Sequence, residues 1–264
     1  MSRASDPVRA CTFNVRYDAS QDDHRWAERR SRVVETIEGL DPDLLGLQEP
    51  LAGQYNDLRD GLSSLEWHGV GRRDGEREGE FVPVAWNPDR FERVDEGAFW
   101  LSETPAEPSV GWDADLPRVA TWADVRERDA GTRYWFCNVH LDHRGERARL
   151  ESARLLRRRA SERLRSADCD AVVLVGDHNC PPGSPPYRTL IAGQLADARR
   201  GADEREGPAG TFHGFDGSVG DRIDYVFVSR AVDVGGYRTL EPRSDRPRSD
   251  HLPVAVDFAV APIG

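Results

Sequence analysis

The chain has 264 residues and a formal net charge of −11, and all 36 of its basic residues are arginines. Because this acidic excess repels polyanions, the bulk charge argues against broad nucleic-acid binding through counterion release. The apolar runs are too short and interrupted to span a membrane, and the first ten residues contain no apolar leader, so we expect a cytoplasmic protein without a membrane partner.

The first fifty residues predict a β-α-β unit. Residues 8–15 form one apolar strand, and residues 43–48 form a second, shorter one. Between them, apolar or aliphatic positions recur at helical spacing until an Asp-Pro pair ends the helix. These positions are Trp26, Arg30, Val33, Val34, Ile37 and Leu40. The unit brings Asn14 and Glu49 to neighbouring strand ends.

The middle of the chain predicts an antiparallel sheet of consecutive strands. Four runs rich in Val, Phe and Trp follow one another, and an Asn-Pro turn separates the first two. The runs cover residues 81–86, 91–101, 119–127 and 133–141. A helix is predicted at 145–165, and its arginine-rich face is either solvated or available to phosphate.

The last third of the chain completes the predicted fold. Residues 171–177 read as a buried strand before a proline-rich segment and a short helix, and two more strands follow at 222–229 and 252–260. We predict one domain over 1–264, with its core at about 8–260, as an α/β sandwich of two largely antiparallel sheets flanked by helices. Four cysteines lack disulfide or metal spacing and are interpreted as structural thiols. They are Cys11, Cys137, Cys169 and Cys180.

Polar side chains stand at the ends of the predicted apolar runs. They are Asn14, Glu49, His140, Asp177, Asn179, Asp224, Asp250 and His251. Strand ends that meet at one edge of a sheet usually build a site there. Carboxylate oxygens favour Mg²⁺ or Mn²⁺ over zinc, and an acid-plus-histidine set suits metal-assisted hydrolysis.

Six segments in chain order carry a family resemblance. TFNVR, LLGLQE, NVHLDH, LVGDHN, RIDYVFVS and SDHLPV together resemble the endonuclease/exonuclease/phosphatase superfamily, from about Cys11 to Phe258. Each segment alone is a weak signal, but six in order at strand ends are a strong one. The resemblance, to a poorly characterised microbial branch, implies a four-layer α/β sandwich and a Mg²⁺- or Mn²⁺-dependent phosphoesterase.

The resemblance also implies a set of metal ligands. Glu49 matches the family's metal-binding glutamate, and Asn14 matches an asparagine that helps to hold metal and phosphate. Asp250 is expected near the metal. Some branches, notably abasic-site endonucleases, carry an aspartate two residues after the asparagine, where this chain has Arg16. The number of metal ions therefore stays open, and Arg16 is grouped with the candidate substrate-binding residues.

The Gly-Asp-x-Asn element supplies the next roles that the resemblance implies. Asp177 is expected to orient or deprotonate the attacking water, and Asn179 to bind a phosphoryl oxygen. The position between them is commonly Phe in the family but is His178 here. This histidine either replaces a packing aromatic or reaches the substrate.

Two histidines complete the implied catalytic set. Asp224 is expected to orient His251, whose imidazolium would neutralise charge on the phosphorane. Asp221 is a competing acid, although the RIDY context favours Asp224. His140 is expected to donate a hydrogen bond to phosphate.

Four more residues are candidate substrate contacts. Asp142 and His143 follow the strand that ends at His140, and strand alternation puts Asp142 on the same face as His140. In the loop of residues 111–122, Trp112 is a candidate for stacking on a ring and Arg118 for pairing with a phosphate. The alternative is that Trp100, Trp112 and Trp122 simply pack.

The functional expectation is a monomeric, metal-dependent phosphoesterase. A small phosphorylated metabolite or sugar phosphate is preferred as substrate, because the acidic chain lacks a basic N-terminal arm. A DNA or RNA nuclease is the alternative within the same chemistry, and an inactive binding module is the alternative from another class. The acidic, lysine-free composition fits a high-salt cytoplasm and a GC-rich genome equally well.

Overall fold

The computed structural model describes residues 6–166, 169–243 and 245–260. Within these ranges lie 13 strands and five helices. The predicted leaderless start includes residues 1–5, and the predicted domain includes residues 261–264, all of which lie outside the described ranges. In the described part of the chain, no helix is long and apolar enough to cross a membrane.

Seven strands form the first sheet. They are β1 (Val8–Asn14), β2 (Leu44–Gln48), β3 (Glu66–His68), β4 (Val84–Trp86), β10 (Glu204–Glu206), β12 (Val232–Thr239) and β13 (Val254–Val260). Their spatial order is β10-β12-β13-β1-β2-β4-β3. β1 and β2 are parallel, as a β-α-β unit requires, and β10 is parallel to β12, whereas the other neighbours are antiparallel.

Six strands form the second sheet. They are β5 (Phe91–Trp100), β6 (Val119–Glu127), β7 (Arg133–His140), β8 (Ala171–Asp177), β9 (Leu195–Asp197) and β11 (Asp224–Ser229). Their spatial order is β5-β6-β7-β8-β11-β9, and only the β7–β8 pair among these described strands is parallel. The long helix between β7 and β8 provides the crossover that a parallel pair needs.

The five described helices are α1 (Trp26–Leu40), α2 (Ala52–Gly61), α3 (Glu146–Arg165), α4 (Pro185–Ile191) and α5 (Ala198–Gly201). The first four cover the outer faces of the two sheets, whereas Ala198 of α5 packs in the central core between them. Of the predicted helical positions, Trp26, Val33, Ile37 and Leu40 are buried and Val34 is partly buried, and this stripe packs on the first sheet. The prediction for Arg30 is wrong: it is exposed, and the neighbouring Arg29 is buried instead. Asp41 ends this helix in the left-handed conformation, with φ 50°.

The core has three layers of apolar contact, which separate four layers of structure. Residues of both sheets meet in a central cluster that includes Val8, Trp86, Phe136 and Val173. α1 and α2 pack on the outer face of the first sheet, and α3 and α4 pack on the outer face of the second. The fold is therefore the predicted four-layer α/β sandwich of two mixed, largely antiparallel sheets.

One strand assignment from the sequence is wrong. The run 81–86 does not join the consecutive antiparallel sheet, because its strand β4 pairs with β2 and β3 in the first sheet. The predicted Asn-Pro turn is present, and Asn87 O accepts hydrogen bonds from the backbone of Arg90 and Phe91. It carries the chain from one sheet to the facing sheet, and the same local turn signal serves a hairpin or such a crossing equally well.

A buried polar bridge joins the two sheets beneath their shared edge. Gln48 on β2 donates from Nε2 to Asn138 Oδ1 on β7 at 2.7 Å. Asn138 donates in return to the carbonyl oxygens of Leu47 and Pro83, at 2.6 and 2.9 Å. Gly46 leaves the space for this contact, since a Cβ there would lie 2.8 Å from Asn138 Cγ. The bridge fixes the position of one sheet against the other.

Candidate active site

The strand register brings polar side chains of both sheets to one edge of the sandwich. In the second sheet, Asp177 at the end of β8 lies opposite His140 on β7 and Asp224 on β11. In the first sheet, Asn14 ends β1, and Glu49 directly follows the parallel neighbour β2. All five residues are buried. Residues that are far apart in the chain are therefore neighbours at this edge.

Asp177 is at the centre of the cluster. Asn14 Nδ2 donates to Asp177 Oδ2 at 3.0 Å and to Glu49 Oε1 at 2.9 Å, which links the two sheets. The Nε2 atoms of His140 and His251 lie 3.5 and 3.7 Å from Asp177 Oδ2. One carboxylate oxygen thus faces two imidazoles and an amide, which is the environment of a group that exchanges protons or binds a cation.

Backbone geometry shapes the Gly-Asp-x-Asn element. Gly176 has φ 138°, and a Cβ there would lie 2.0 Å from the carbonyl oxygen of Val139, so this position requires glycine. Asn179 adopts the left-handed conformation with φ 46°, and its backbone N–H donates to Asp177 Oδ1 at 2.9 Å. Its side-chain amide donates to the carbonyl of Leu141 at 3.0 Å. One amide hydrogen of Asn179 stays available to a ligand.

Asp224 and His251 form the hydrogen-bonded pair that the sequence suggested. His251 Nδ1 lies 2.9 Å from Asp224 Oδ2, and both side chains are buried, whereas Asp221 is exposed. Burial alone would lower the pKa of His251, but the charges of Asp224, Asp177 and Asp250 raise it well above its ordinary value. His251 is therefore an imidazolium in this site at neutral pH.

His140 has the opposite electrostatic character. Burial and the neighbouring guanidinium groups of Arg118 and Arg72 lower the pKa of His140 well below its ordinary value. Its Nδ1 has no hydrogen-bond partner among the described residues and lies 3.7 Å from Glu80 Oε2. The site therefore presents one charged and one neutral imidazole to the same carboxylate.

Glu80 is a site residue that the sequence reasoning missed. Arg72 donates to both of its carboxylate oxygens at 2.8 Å. Burial and the nearby charge of Glu49 raise the pKa of Glu80 to about 7. Residues 73–80 contain four acids, two glycines and two arginines, so nothing local singled out this glutamate. The usable signal was its position directly before the apolar run that becomes β4.

The donor set fits a divalent cation. The ligand atoms of Glu49, His140 and Asp177 lie within 4.8 Å of one another, and all three side chains are buried. Burial and the charge of Asp224 raise the pKa of Asp177 to about 7. The raised pKa indicates that too little positive charge surrounds Asp177 to stabilise its ionised form. A cation with oxygen preference would supply that charge.

Asp250 and Arg16 lie at the side of this cluster. Arg16 places Nη1 3.9 Å from Glu49 Oε2 and Nε 3.8 Å from Asp250 Oδ2. The other oxygen of Asp250 accepts a hydrogen bond from Ser249 Oγ at 3.1 Å. The structure thus brings Asn14 and Glu49 together, while a guanidinium separates Glu49 from Asp250.

The four candidate substrate contacts outside the strand ends divide by exposure. Asp142 is buried; its Oδ1 accepts hydrogen bonds from the backbone N–H groups of Arg144 and Gly145 at the start of α3, and its Oδ2 accepts one from Nε of Arg118 at 3.3 Å. His143 is exposed and lies 2.9 Å from Arg118 Nη2. Nη1 of the buried Arg118 has no partner among the described residues.

The tryptophans also differ. Trp112 is partly exposed in a left-handed conformation with φ 53°, and its backbone N–H donates to Glu103. Trp100 and Trp122 pack instead: Trp100 Nε1 donates to the carbonyl of Arg72, and the guanidinium of Arg163 covers Trp122. The packing alternative therefore describes Trp100 and Trp122, and Trp112 is partly exposed.

His178 does not face the site. Its side chain is 0% exposed, and its ring packs on Tyr225 and Phe227 with centroid distances of 5.4 and 5.1 Å. Nδ1 donates to the carbonyl of Gly176 at 3.0 Å. The substrate-contact alternative for His178 is wrong, because the side chain alternates away from Asp177 into the outer core.

The sequence model of the Endonuclease/Exonuclease/phosphatase family matches residues 11–251. The chain belongs to this family. The resemblance drawn from six short segments is therefore confirmed over nearly the whole length, and it makes the chain a member of a family of hydrolases.

Two solved structures of Bacteroides proteins are similar to this family member throughout. An endonuclease/exonuclease/phosphatase from Bacteroides vulgatus is 35% identical, with a TM-score of 0.91 over 97% of this chain and 99% of the other. The mannosyl-6-phosphatase of Bacteroides thetaiotaomicron VPI-5482 is 34% identical, with a TM-score of 0.90 over 96% of this chain and 99% of the other.

A curated relative matches a shorter part. An uncharacterised protein of Acanthamoeba polyphaga mimivirus is 26% identical over 126 residues, which make up 45% of this chain and 47% of that protein. This family member thus spans about half of the length of that relative.

Proposed function

We propose that the protein is a divalent-metal-dependent phosphoesterase that hydrolyses the P–O bond of a small phosphorylated substrate by in-line attack of water. The observation that carries this proposal is the contact of Asn14 with both Glu49 and Asp177, beside one neutral and one positively charged histidine. This set contains a carboxylate that can accept a proton, an imidazolium that can neutralise negative charge, and buried carboxylates that can bind a cation.

Glu49 and Asn14 would hold the metal, with Asp250 at the side of the same site. Bound there, Mg²⁺ or Mn²⁺ would supply Lewis-acid neutralisation of the phosphoryl oxygens. Asn14 fixes the Glu49 carboxylate through its 2.9 Å hydrogen bond, and the backbone N–H of Tyr17 donates to the second oxygen at 3.1 Å. These two contacts orient the carboxylate before any cation arrives.

Asp177 is the proposed general base. Burial and the charge of Asp224 raise its pKa to about 7 in the metal-free site, and a bound cation would lower it, so that the carboxylate is ionised and can take a proton from water near neutral pH. The water oxygen forms a bond to phosphorus while the bond from phosphorus to the ester oxygen breaks. The imidazolium of His251, with His140 and the amide of Asn179, would stabilise the charge that develops on the phosphoryl oxygens.

A small sugar phosphate is the proposed substrate class. An open cavity of about 600 Å³ adjoins the site, and its walls include Tyr17, Leu51, Arg72 and Glu80. This volume suits a small molecule. The 34% identity to a mannosyl-6-phosphatase along the whole chain supports a phosphorylated sugar. Nη1 of Arg118, which has no partner within the described ranges, offers an additional donor to an anionic substrate.

The test is a substrate panel with the metal-free protein and added Mg²⁺ or Mn²⁺. Mannose 6-phosphate, a generic phosphodiester, and single- and double-stranded nucleic acids would be compared at equal concentrations. We expect hydrolysis of the sugar phosphate only with added metal. Asp177→Asn should lower turnover at least about a hundredfold, the usual scale for loss of a general base, and Glu49→Gln should weaken Mn²⁺ binding most.

Glu151→Gln is the matched control, because Glu151 pairs with Arg154 on the surface of α3, away from the site. It should keep wild-type turnover and metal dependence. Full activity of the wild type in excess chelator would refute metal dependence. Efficient cleavage of nucleic acid with no hydrolysis of the sugar phosphate would favour the nuclease, and inactivity on every substrate with intact Mn²⁺ binding would favour a binding module.

A further inference from the structure

The backbone holds Arg16 firmly at the edge of the site. Arg16 adopts the left-handed conformation with φ 58°, which residues other than glycine seldom take. Its N–H donates to Asn14 Oδ1 at 3.0 Å, and its carbonyl accepts from Arg29 Nη2 and Gln54 Nε2, both at 3.0 Å. Three contacts thus maintain an unfavourable backbone conformation, which points to a function for the side chain placed there.

The side chain of Arg16 is equally constrained. Nε and Nη2 donate to the two oxygens of Asp22 at 2.9 and 3.1 Å, and the guanidinium lies 4.5 Å from the ring centroid of Tyr17. In this position the guanidinium faces Glu49 at 3.9 Å and Asp250 at 3.8 Å. A bidentate carboxylate and an aromatic face restrict its movement, so its charge stays between the two acids.

We propose that Arg16 occupies the place of a second cation between Glu49 and Asp250, so that the protein binds one divalent metal ion. This inference rests on the proposed function. A guanidinium cannot lose its proton in a protein, and it therefore supplies a permanent positive charge where Asp250 would otherwise attract a metal. A second divalent ion at Asp250 would lie close to this charge and would be repelled by it, because the guanidinium is 3.8 Å from Asp250.

A different role for Arg16 is direct binding of the substrate phosphate. Both roles lower activity when the arginine is removed, so activity alone does not separate them. Metal binding without substrate does separate them, because a phosphate-binding arginine does not change how many ions the free protein takes up. The two roles also predict different results for Arg16→Lys, since a lysine keeps the positive charge but loses the bidentate geometry that binds a phosphate.

The experiment is a titration of the metal-free, full-length protein with Mn²⁺. Calorimetry measures the number of ions bound and their affinity, and electron paramagnetic resonance detects pairs of Mn²⁺ ions. We expect one ion per chain for the wild type and for Arg16→Lys. Arg16→Gln should bind a second ion, with a spin-coupled Mn²⁺ pair in the spectrum. The second ion, at Asp250, should bind at least about tenfold more tightly than any weak binding of a second ion by the wild type, the scale for removing one charge beside a divalent ion.

Arg25→Gln is the matched control. Arg25 also forms a bidentate pair, with Asp18 at 2.7 and 2.8 Å, but its ion pair does not include Glu49 or Asp250. This variant should bind one ion with wild-type affinity. Asp22→Asn is a second test that leaves the arginine in place: the guanidinium keeps its charge but loses its partner, so one ion per chain should be retained.

The outcomes separate this inference from the proposed function. Two Mn²⁺ ions in the wild type, or one ion with unchanged affinity in a folded Arg16→Gln, would overturn the role of Arg16 while leaving metal-dependent hydrolysis intact. If unchanged Mn²⁺ binding came with a raised KM, Arg16 would be a phosphate contact instead. No Mn²⁺ binding by the wild type would overturn the proposed function, and this inference with it.

Discussion

Replacing His178 with phenylalanine should make the protein less sensitive to acid without removing activity. The histidine ring is 0% exposed and lies between the rings of Tyr225 and Phe227. Its Nε2 has no hydrogen-bond partner among the described residues. A phenylalanine fills nearly the same volume and carries no polar atom. His178→Phe therefore loses the hydrogen bond to the carbonyl of Gly176, but it also removes a buried nitrogen that lacks a partner among the described residues.

The size of the effect follows from the pKa of His178. Burial lowers this pKa to about 4, against about 6.5 in the unfolded chain. Between these values the unfolded chain binds a proton and the folded protein does not. Stability that is present above pH 6.5 is therefore lost as the pH falls toward 4. At pH 5 the loss from this one residue amounts to about 2 kcal/mol, whereas at pH 8 it is close to zero.

The assay is urea unfolding of the metal-free wild type and of His178→Phe at pH 8 and pH 5, followed by tryptophan fluorescence. The free energies of unfolding at pH 8 should agree within about 1 kcal/mol, because one hydrogen bond contributes about that much. At pH 5 the variant should have lost about 2 kcal/mol less than the wild type. Equal losses in both proteins would refute the buried neutral histidine, and a large fall in turnover at pH 8 would refute its packing role.

Two further predictions concern the site itself. Asp224→Asn removes a charge that raises the pKa of both Asp177 and His251. The acidic and alkaline limbs of the plot of kcat/KM against pH should therefore both move to lower pH. An unshifted profile would contradict the pairing of Asp224 with His251. Arg118→Ala and Trp112→Ala should each raise KM for a sugar phosphate more than they lower kcat, and KM should depend weakly on salt. Affinity for nucleic acid that falls by powers of ten over a few-fold rise in salt would instead indicate a nuclease.

Much of the fold was predictable because apolar periodicity is a local property. The helix α1 begins at Trp26 and ends at Leu40, where the predicted helical spacing stops, and β8 covers the predicted 171–177. The short strands β3, β9 and β10 have three residues each and were missed. Three residues are too few to establish an alternating pattern, and such strands depend on their neighbours.

The partners of β4 could not be predicted from its own residues. An apolar run of this kind fits any buried strand, and the turn after it fits a hairpin or a crossing between sheets. The packing of Trp86 in the central core and the pairing of Val84 with Gly46 and His68 decide its sheet. Those contacts join distant segments, which no local pattern encodes.

The sequence by itself determined which residue types stand at the strand ends, and this was enough to predict the convergence of Asn14, Glu49 and Asp177 through the order of their motifs. Only the tertiary structure decided which atoms are free to act. Asn14 and Asp177 are 163 positions apart, yet one hydrogen bond joins them. Glu80 lies in the site and His178 packs in the outer core, because burial and hydrogen bonding depend on the elements packed around each side chain.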